Sequence, residues 1–357
     1  MDRATVSVYE ERAHDWVARR TAGGLDAAAR LSARMAPGAV RADLGCGPGW
    51  HAAALGTPLV ALDAARAMLD LVAGHAPGAW RVQADIEAPP LRDRALGGAW
   101  ASASYLHVAR DRMPLALARL HWMLAEGAPV HLSVRHGDNE GALGEGGDFP
   151  GRFLSEWRPD PLRDVLVGAG FDVDAISLGK GKAAEFLDGW ANRARTLPDT
   201  VGPGMRLLVC GLNPSVYAAD RGTGFARPTN RFWRAAGEAG LVSRARDPLH
   251  ALVEHGIGMT DLVKRATPAA AELTRDEYRA GLARVERLVR WLRPGAVCFV
   301  GLAGWRAARD RQATVGDQPD GLGDAPVYVM PSTSGLNTHA DGPALAGHLR
   351  AAAALAR

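Results

Sequence analysis

Short apolar runs alternate with amphipathic stretches along the whole chain. In the first half the runs of strand length are VRADLG, PLVALD, WRVQAD, GAWASAS, PVHLSV and FDVDAISL, and helical spacing occurs in ARAMLDLVAGH and PLALARLHWMLAEG. In the second half RLLVCG, GIGMT, AVCFVG and VYVM alternate with NRFWRAAGEAG and TRDEYRAGLARVERLVRWL. The last stretch opens with a capping box, Thr274 and Glu277. Such alternation predicts parallel sheets covered by helices, so we expect an α/β fold in both halves.

Two domains are predicted because this pattern is interrupted once. The stretch RARTLPDTVGPGMR contains four breakers within seven residues, which are Pro198, Gly202, Pro203 and Gly204. The chain of 357 residues also exceeds the ~250 residues beyond which single cores seldom grow. We predict a first domain over residues 1–197, a linker over residues 198–204 and a second domain over residues 205–357.

Composition narrows the class of protein. The chain is 47% apolar and 23% charged, its mean hydropathy is -0.10, and it has no run of ~18 uncharged apolar residues. These values indicate a globular protein that is neither disordered nor inserted in a membrane. The charged start MDRATVSVYEER argues against a signal peptide, so we expect a cytoplasmic protein. Three distant cysteines without a CxxC pair argue against a disulfide framework, a zinc site or a four-cysteine iron-sulfur cluster.

Charge differs between the halves. Residues 1–200 carry 22 Lys and Arg against 25 Asp and Glu, whereas residues 201–357 carry 20 against 14. The first half is therefore about -3 and the second about +6. A basic excess favours a polyanionic partner for the second half, although a general arginine bias of the proteome would have the same effect.

A glycine-rich loop follows the first strand-like run. VRADLGCGPGW places Asp43 at the strand end, before three glycines that let the chain turn and a ligand approach the backbone. The next two runs end in Asp63, suited to ribose hydroxyls, and Asp85, suited to an adenine amino group. Trp50 stands where the dinucleotide motif G-x-G-x-x-G requires glycine, which argues against NAD. An alternative is that the glycines only close a tight turn.

The pattern D-x-G-x-G-x-G with acidic ends on the second and third strands resembles class I S-adenosylmethionine-dependent methyltransferases. Later motifs of the methyltransferase type 11 group are resembled by GAWASASYLHV, GAPVHLSV and GRFLSEWRPDPLRDVLVGAGFDV. The whole resemblance covers residues 5–197. The resemblance implies a Rossmann-like sheet that binds S-adenosylmethionine. Asp43 and the glycines would hold its methionine part, Asp63 the ribose, Asp85 and Ile86 the adenine, and Tyr9 would close over the carboxylate. The full implied set is Tyr9, Asp43, Gly45, Cys46, Gly47, Gly49, Asp63, Asp85 and Ile86.

The methyl acceptor is not readable from the sequence. Transfer from a sulfonium is an in-line displacement in which positioning carries most of the catalysis and a base is optional. His107 and His136 follow strand-like runs and are candidate proton acceptors, although an ordinary structural histidine is the commoner role. SASYLH lacks the N/D-P-P-Y/F motif of DNA amino-methyltransferases, and no Pro-Cys nucleophile is present for carbon-5 methylation.

Two separated loops of the second half each follow a strand-like run. G-x-N-P follows the first run and P-S-x-S-G-L follows the last, so the loops are expected to converge on one cleft. With RPTNRFW and GMTDLVKRAT between them, these motifs resemble the mismatch-specific uracil and thymine glycosylase branch of the uracil-DNA glycosylase superfamily, over residues 205–350. The resemblance implies an α/β/α parallel sheet and an enzyme that cleaves a base from its sugar in double-stranded DNA.

The resemblance also implies site residues. A base must be flipped out of the duplex before its sugar bond is cleaved. Asn213 would orient the attacking water, Phe225 would stack on the flipped base, and Gly335 with Leu336 would fill the vacated space. A turn-capping role is the alternative for Asn213, and a core position for Phe225. The implied residues are Gly211, Asn213, Ser215, Tyr217, Phe225, Asp261, Ser332, Ser334, Gly335 and Leu336.

Three positions depart from the family pattern. Ser215 replaces a glycine, which is expected to narrow the pocket against 5-substituted pyrimidines such as thymine, and Tyr217 is bulkier than the usual residue. Asp261 stands where relatives carry asparagine or lysine. An ionised carboxylate only accepts hydrogen bonds, so we favour a contact with an N–H of the base edge over a role in drawing a proton from water.

Lysine and arginine positions complete the prediction. Lys264 is the only lysine after residue 200, and its LVKR context indicates a solvated surface position. A glycosylase that nicks DNA needs an amine nucleophile, so we expect a monofunctional, metal-independent enzyme that leaves an abasic site. Phosphate contacts are predicted for Arg227, Arg231 and Arg234.

We therefore predict a DNA repair glycosylase fused to a methyltransferase of unknown acceptor, associated with the nucleoid when it acts. Two alternatives remain open. The second half is a non-catalytic lesion-binding module in one of them. In the other, the chain is a small-molecule methyltransferase and its second half is only a structural support.

Overall fold

The computed structural model describes residues 1–180, 184–337 and 341–356. The chain divides into two compact units, Met1–Val167 with Phe171–Ala194 and Gly168–Gly170 with Arg195–Arg357. The main division thus falls after Ala194, close to the predicted end of the first domain. The segment 198–204, predicted as a linker, lies within the second unit, because Asp199 and Thr200 are buried and Thr200 forms a bridge with Met259.

The described part of the first unit forms one mixed sheet of nine strands, with the order β3-β2-β1-β4-β5-β7-β6 and with β9 pairing both β5 and β8. Its strands are β1 (Arg41–Leu44), β2 (Leu59–Asp63), β3 (Trp80–Gln83), β4 (Gly98–Ser102), β5 (Pro129–His136), β6 (Glu140–Ala142), β7 (Phe153–Trp157), β8 (Phe171–Lys180) and β9 (Glu185–Arg193). Its helices are α1 (Arg3–Glu11), α2 (Ala13–Arg19), α3 (Leu25–Ala33), α4 (Ala52–Leu55), α5 (Arg66–His75), α6 (Met113–Met123) and α7 (Pro159–Gly168).

The prediction of a parallel sheet is confirmed for one part of this unit but not for the other. Strands β1 to β5 pair in parallel, as the alternation of strands and helices indicated. Strand β9 runs antiparallel to both β8 and β5, and β6 runs antiparallel to β7. Only four residues separate β8 from β9, which is too few for the crossover that a parallel pair requires.

The second unit is built on a five-stranded sheet in its described residues. Its strands are β10 (Leu207–Gly211), β11 (Ile257–Asp261), β12 (Ala296–Val300), β13 (Gly316–Asp317) and β14 (Val327–Met330), in the order β11-β10-β12-β14-β13. All pairs are parallel except β13 with β14. Its helices are α8 (Val216–Arg221), α9 (Phe232–Glu238), α10 (Pro248–His255), α11 (Arg275–Leu292), α12 (Leu302–Ala308) and α13 (Gly342–Ala354).

Local patterns in the sequence explain how the helices of the second unit are capped and packed. The predicted capping box is confirmed at the start of α11, where Glu277 N donates to Thr274 Oγ1 over 3.3 Å and Thr274 N donates to Glu277 Oε2 over 2.8 Å. Helices α9 and α13 cover one face of the sheet, and Phe232, Trp233 and Leu345 are buried there against the strands. No described helix combines the length and the hydropathy needed to span a lipid bilayer.

The topology places the candidate loops of the second unit at one edge. Strands β10, β11 and β14 are parallel members of one sheet, so the segments that follow them emerge at the same edge. Neighbouring strands lie about 4.8 Å apart, so the ends of β10 and β14, which flank β12, are separated by about 10 Å. The Asn213 loop and the Leu336 loop therefore leave the same side of the sheet.

Candidate active sites of the two units

The glycine-rich loop of the first unit has a backbone that requires glycine. Gly45, Gly47 and Gly49 have φ values of 71°, 53° and 86°. A Cβ atom on Gly45 would collide with the Ser104 side chain, whereas one on Gly47 would meet no atom within 4 Å. Gly45 thus permits close packing of the loop, and Gly47 leaves the backbone open to a ligand.

Two aspartates lie beside this loop, Asp43, which is buried, and Asp63, which is half-buried. Asp63 accepts hydrogen bonds from Gly47 N and Ala65 N, each over 2.9 Å. Asp43 is buried and its Oδ2 atom has no hydrogen-bond partner among the described residues. Burial, together with the nearby charge of Asp63, raises the pKa of Asp43 to about 8. An unpaired buried carboxylate beside an open loop fits a ligand that carries a positive charge.

The other predicted cofactor residues have identifiable surroundings. The Asp85 carboxylate contacts the amino group of Met1, and its Oδ1 accepts a hydrogen bond from Glu87 N over 2.8 Å. Ile86 and Cys46 are buried, and burial raises the pKa of the Cys46 thiol well above its ordinary value. That thiol is therefore neutral at physiological pH.

Tyr9 takes part in a buried network. Its hydroxyl hydrogen-bonds His107 Nε2 over 2.9 Å and accepts a hydrogen bond from Arg152 Nη1 over 2.8 Å. His107 Nδ1 lies 2.7 Å from Phe153 O, so that nitrogen carries the proton. Burial lowers the pKa of His107 to about 4, which makes it a weak proton acceptor at neutral pH. His107 thus matches the structural role that the sequence also allowed. His136 lies 3.2 Å from Glu185 Oε2.

The loop after β10 holds Asn213 in a defined orientation. Its Nδ2 group donates to Thr267 Oγ1 over 2.8 Å and to Arg265 O over 3.0 Å. Because these acceptors take the amide hydrogens, the Oδ1 atom remains as an acceptor. Ser215 caps the next helix, since its Oγ accepts a hydrogen bond from Ala218 N over 3.2 Å. Tyr217 lies on that helix, with the Arg221 guanidinium 5.4 Å from its ring centre.

Gly211, Asp261 and Phe225 come together at the ends of β10 and β11. Gly211 pairs with Asp261 in the register of the two strands. A Cβ atom on Gly211 would lie 2.5 Å from Asp261 Oδ1 and 3.5 Å from Phe225 Cζ, so a side chain there would displace the carboxylate. Phe225 stacks on Phe232 with ring centroids 4.2 Å apart and has a φ of 55°, a strained value for an aromatic residue.

The Asp261 carboxylate is unpaired within the part of the chain that the structure describes. Burial raises its pKa to about 6, against the lowering effect of Lys264 and Arg284. The carboxylate is therefore mostly ionised at neutral pH and presents acceptor oxygens to whatever lies over Gly211. The sequence motif predicted that Asp261 lies near the base or the water. It could not predict the charge state of Asp261, because these neighbours set it.

The loop after β14 presents one apolar side chain to solvent. Leu336 is 94% exposed. The loop beneath it is ordered by its own hydroxyls, because Ser334 N donates to Ser332 Oγ and Leu336 N donates to Ser334 Oγ, each over 3.3 Å. A Cβ atom on Gly335 would lie 2.9 Å from Thr229 O, so the loop approaches the segment before α9 closely.

Arg231 anchors that loop. Its Nη2 group donates to Ser334 O over 3.2 Å and to Asn337 O over 2.6 Å, and its backbone N donates to Thr333 O over 2.9 Å. The expected phosphate contact of Arg231 thus competes with a role inside the protein. Of its two predicted companions, Arg234 is exposed and pairs with Glu238 over 2.8 Å, and Arg227 is exposed.

The prediction of a solvated Lys264 is wrong. Its Nζ lies 2.8 Å from Asp199 Oδ1, and both side chains are largely buried. Asp199 also accepts a hydrogen bond from Arg284 Nη1 over 2.7 Å. No local pattern in the sequence indicates this cluster, because Asp199 lies in the breaker-rich stretch and its partners are 65 and 85 residues further along.

Both units match models of known protein families. Residues 198–354 match the uracil DNA glycosylase superfamily, and residues 42–131 match a methyltransferase domain. The chain therefore contains a methyltransferase domain with a Rossmann-like sheet and an α/β domain of the uracil DNA glycosylase superfamily. The family models confirm these two assignments of the sequence at that level.

Several of the solved structures that are similar to this chain are described as methyltransferases. One is the 1,6-didemethyltoxoflavin-N1-methyltransferase of Burkholderia thailandensis with bound 1,6-didemethyltoxoflavin and S-adenosylhomocysteine, at 21% identity over 54% of this chain and 88% of that chain, with a TM-score of 0.45. A methyltransferase from Methanosarcina mazei is 14% identical over 46% and 97%, with a TM-score of 0.41. One from Mesorhizobium loti is 20% identical over 48% and 100%, with a TM-score of 0.39.

Proposed function

We propose that the second unit is a monofunctional DNA glycosylase of the mismatch-specific branch, which flips uracil or a related mismatched or damaged pyrimidine out of double-stranded DNA and hydrolyses its glycosidic bond. One arrangement of side chains supports this proposal. An ordered amide at Asn213, a carboxylate and an aromatic ring over Gly211, and an almost fully exposed Leu336 all belong to segments at one edge of a parallel sheet.

Asn213 has the role of holding water. Since an amide is not a competent base, its Oδ1 acceptor orients a water beneath C1′ while the bond breaks through an oxocarbenium-like sugar. The contacts of its Nδ2 group with Thr267 and Arg265 fix that orientation before substrate binds. Preorganisation of this kind lowers the barrier without any proton transfer by the protein.

Asp261 and Ser215 select the base in this proposal. An ionised carboxylate accepts hydrogen bonds only, so it favours a base whose edge carries an N–H group. Uracil and thymine have such a group at N3, whereas the fused ring of ethenocytosine has none on that edge. The hydroxymethyl side chain of Ser215 disfavours the 5-methyl group of thymine. The expected order of excision is therefore uracil first, with thymine and ethenocytosine slower.

Leu336 is the wedge. A leucine that is 94% exposed is costly in water, and insertion between base pairs would bury it. The hydrogen bonds that order its loop mean that little conformational entropy is lost when it enters the duplex.

We propose that the first unit binds S-adenosylmethionine and transfers its methyl group to an acceptor of unknown class. The Asp43 Oδ2 atom, which has no partner in the described part of the chain, and the open Gly47 fit the cationic methionine part, and Asp63 fits the ribose. S-adenosylmethionine supplies the activated methyl group, and the protein contributes binding and alignment.

The glycosylase is tested by incubating the full chain with duplexes that contain G·U, G·T or G·ethenocytosine and measuring free base by chromatography. We expect release of uracil and strands that break only after alkali treatment. No release from any duplex would refute the glycosylase. A covalent protein-DNA adduct trapped by borohydride would refute the monofunctional mechanism instead.

A further inference from the structure

A buried charge cluster lies directly beneath Asp261. Asp199 is 2% exposed and accepts hydrogen bonds from Thr260 Oγ1 over 2.6 Å, from Lys264 Nζ over 2.8 Å and from Arg284 Nη1 over 2.7 Å. Its partners come from the end of β11, from the segment that follows it and from α11. One carboxylate thus joins three separate parts of the second unit.

The cluster reaches the backbone of Asp261. Arg284 Nη2 donates to Asp261 O over 2.8 Å and to Thr260 Oγ1 over 3.0 Å. Helix α11 lies so close that a Cβ atom on Gly281 would collide with Leu262 O. The Thr196 hydroxyl also donates to Lys264 O. The end of β11 is therefore held by direct contacts on both sides of Asp261.

The charges of the cluster act on the Asp261 carboxylate. Asp199 and Asp261 are the two acids, and Lys264 and Arg284 are the two cations, so the four formal charges cancel when all are ionised. Burial and Asp199 raise the pKa of Asp261, and Lys264 and Arg284 lower it. The Cys210 thiol on β10 also interacts with Asp261, but burial raises its pKa well above its ordinary value, so it adds no charge.

We propose that Asp199, Lys264 and Arg284 are positioning residues that fix the end of β11 and set the charge state in which Asp261 meets the flipped base. This inference rests on the proposed function for its last step, the contact with the base. Asp199, which lies in a segment predicted as a linker, then helps to position a site residue of the glycosylase. A cluster that served stability alone would leave the pH dependence of uracil release unchanged.

The test uses two substitutions with opposite expected effects. In the full chain, Asp199→Asn removes a negative charge and is expected to lower the midpoint of the Asp261 titration. Lys264→Met removes a positive charge and is expected to raise it, each by about one pH unit. The midpoint is read from the carboxyl carbon resonance of Asp261, assigned with Asp261→Asn, and from the pH dependence of single-turnover uracil release.

Two further variants serve as controls. Lys264→Arg keeps the positive charge and should restore the wild-type midpoint. Arg290→Met breaks an exposed pair with Glu286 on the same helix as Arg284 and should leave the midpoint unchanged. If Asp199→Asn does not fold, Lys264→Met and Lys264→Arg still decide the question, since the proposal requires a rise in the first and none in the second.

The outcomes separate this inference from the proposed function. Opposite shifts of the resonance in a protein that releases no base would support the charge network and refute the glycosylase. Base release with unshifted midpoints in both variants would refute the network and leave the glycosylase standing.

Discussion

The two units each contain a fully buried aspartate, and the two aspartates are in opposite situations. Asp43 in the first unit has an oxygen that finds no partner among the described residues, and its pKa is raised to about 8. Asp199 in the second unit accepts bonds from two cations and a hydroxyl. Burial alone would raise its pKa too, but Arg284 and Lys264 lower it below its ordinary value.

The difference shows that burial does not define the role of a carboxylate, whereas its partners do. A buried acid without a counter-ion destabilises the free protein and is stabilised by a cationic ligand. A buried acid with two counter-ions has a structural role, and its loss leaves those cations unpaired. Asp43 thus indicates a binding site, and Asp199 indicates a support for one.

The largest expected effect is on stability. Asp199→Ala leaves Lys264 and Arg284 buried without their anion, so the free energy of unfolding of the second unit should fall by about 3–5 kcal/mol. Hydrogen exchange of peptides covering β10 and β11 measures this loss in the full chain. Asp276→Ala on α11, where Asp276 is an exposed acid paired with Arg279, is the matched control and should change little. An equally small change in Asp199→Ala would contradict the assigned role.

The pH dependence of stability should differ in sign at the two aspartates. Asp43 has a folded-state pKa of about 8 against about 4 when unfolded, so the native state binds more protons between these values and loses stability as the pH rises. Asp199, whose pKa is lowered, contributes stability above about pH 4 and loses it as the pH falls through its folded value.

Asp43→Asn isolates the first effect. At pH 9 the variant should be more stable than wild type by roughly 2–4 kcal/mol, and near pH 4 the difference should vanish. Hydrogen exchange of peptides covering β1 at the two pH values measures it. A variant that is less stable at pH 9 would show that Asp43 is ionised and paired.

Proton release on ligand binding tests whether Asp43 meets a cation. A positive group beside Asp43 lowers its pKa, so binding of S-adenosylmethionine at pH 7 should release up to about one proton more in wild type than in Asp43→Asn. Calorimetry in buffers of different ionisation enthalpy measures this number. Equal proton release in the two proteins would remove Asp43 from contact with the cationic part of the ligand.

A smaller effect is expected at Asp261, the acid that Asp199 supports. Asp261→Asn replaces an acceptor-only group with an amide, so the preference for uracil over ethenocytosine should fall by about tenfold, the effect of one hydrogen bond. Uracil release by wild type should also decline as the pH falls through about 6, where Asp261 becomes protonated, and the variant should lack this decline. Unchanged preference and unchanged pH profile would exclude Asp261 from the base pocket.

The sequence predicted the elements of both units better than their buried chemistry. Many strands and helices follow from local periodicity, the capping box follows from the spacing of Thr274 and Glu277, and the loops at strand ends follow from parallel topology. No strand was predicted over Glu185–Arg193, so the antiparallel strand β9 was missed. The environments of Asp199, Lys264 and Arg231 could not be predicted, since each depends on contacts between segments 65 to 106 residues apart.

The candidate sites show the same limit. Four separated motifs that resemble the uracil-DNA glycosylase superfamily were enough to propose a glycosylase, and the resemblance identified Asn213, Phe225 and Leu336 as candidate site residues. The charge state of Asp261 and the unpaired oxygen of Asp43 are properties of the folded surroundings, so only the structure supplies them.

The account depends most on base release by the Asn213 loop. Single-turnover release of uracil from a G·U duplex, measured together with duplex affinity, compares wild type with Asn213→Ala. We predict that wild type releases uracil and that the rate of release falls by at least 100-fold in the variant, the effect of removing one preorganised polar group. The affinity for the duplex should be unchanged. Equal release by the two proteins, or none by wild type, would contradict the account.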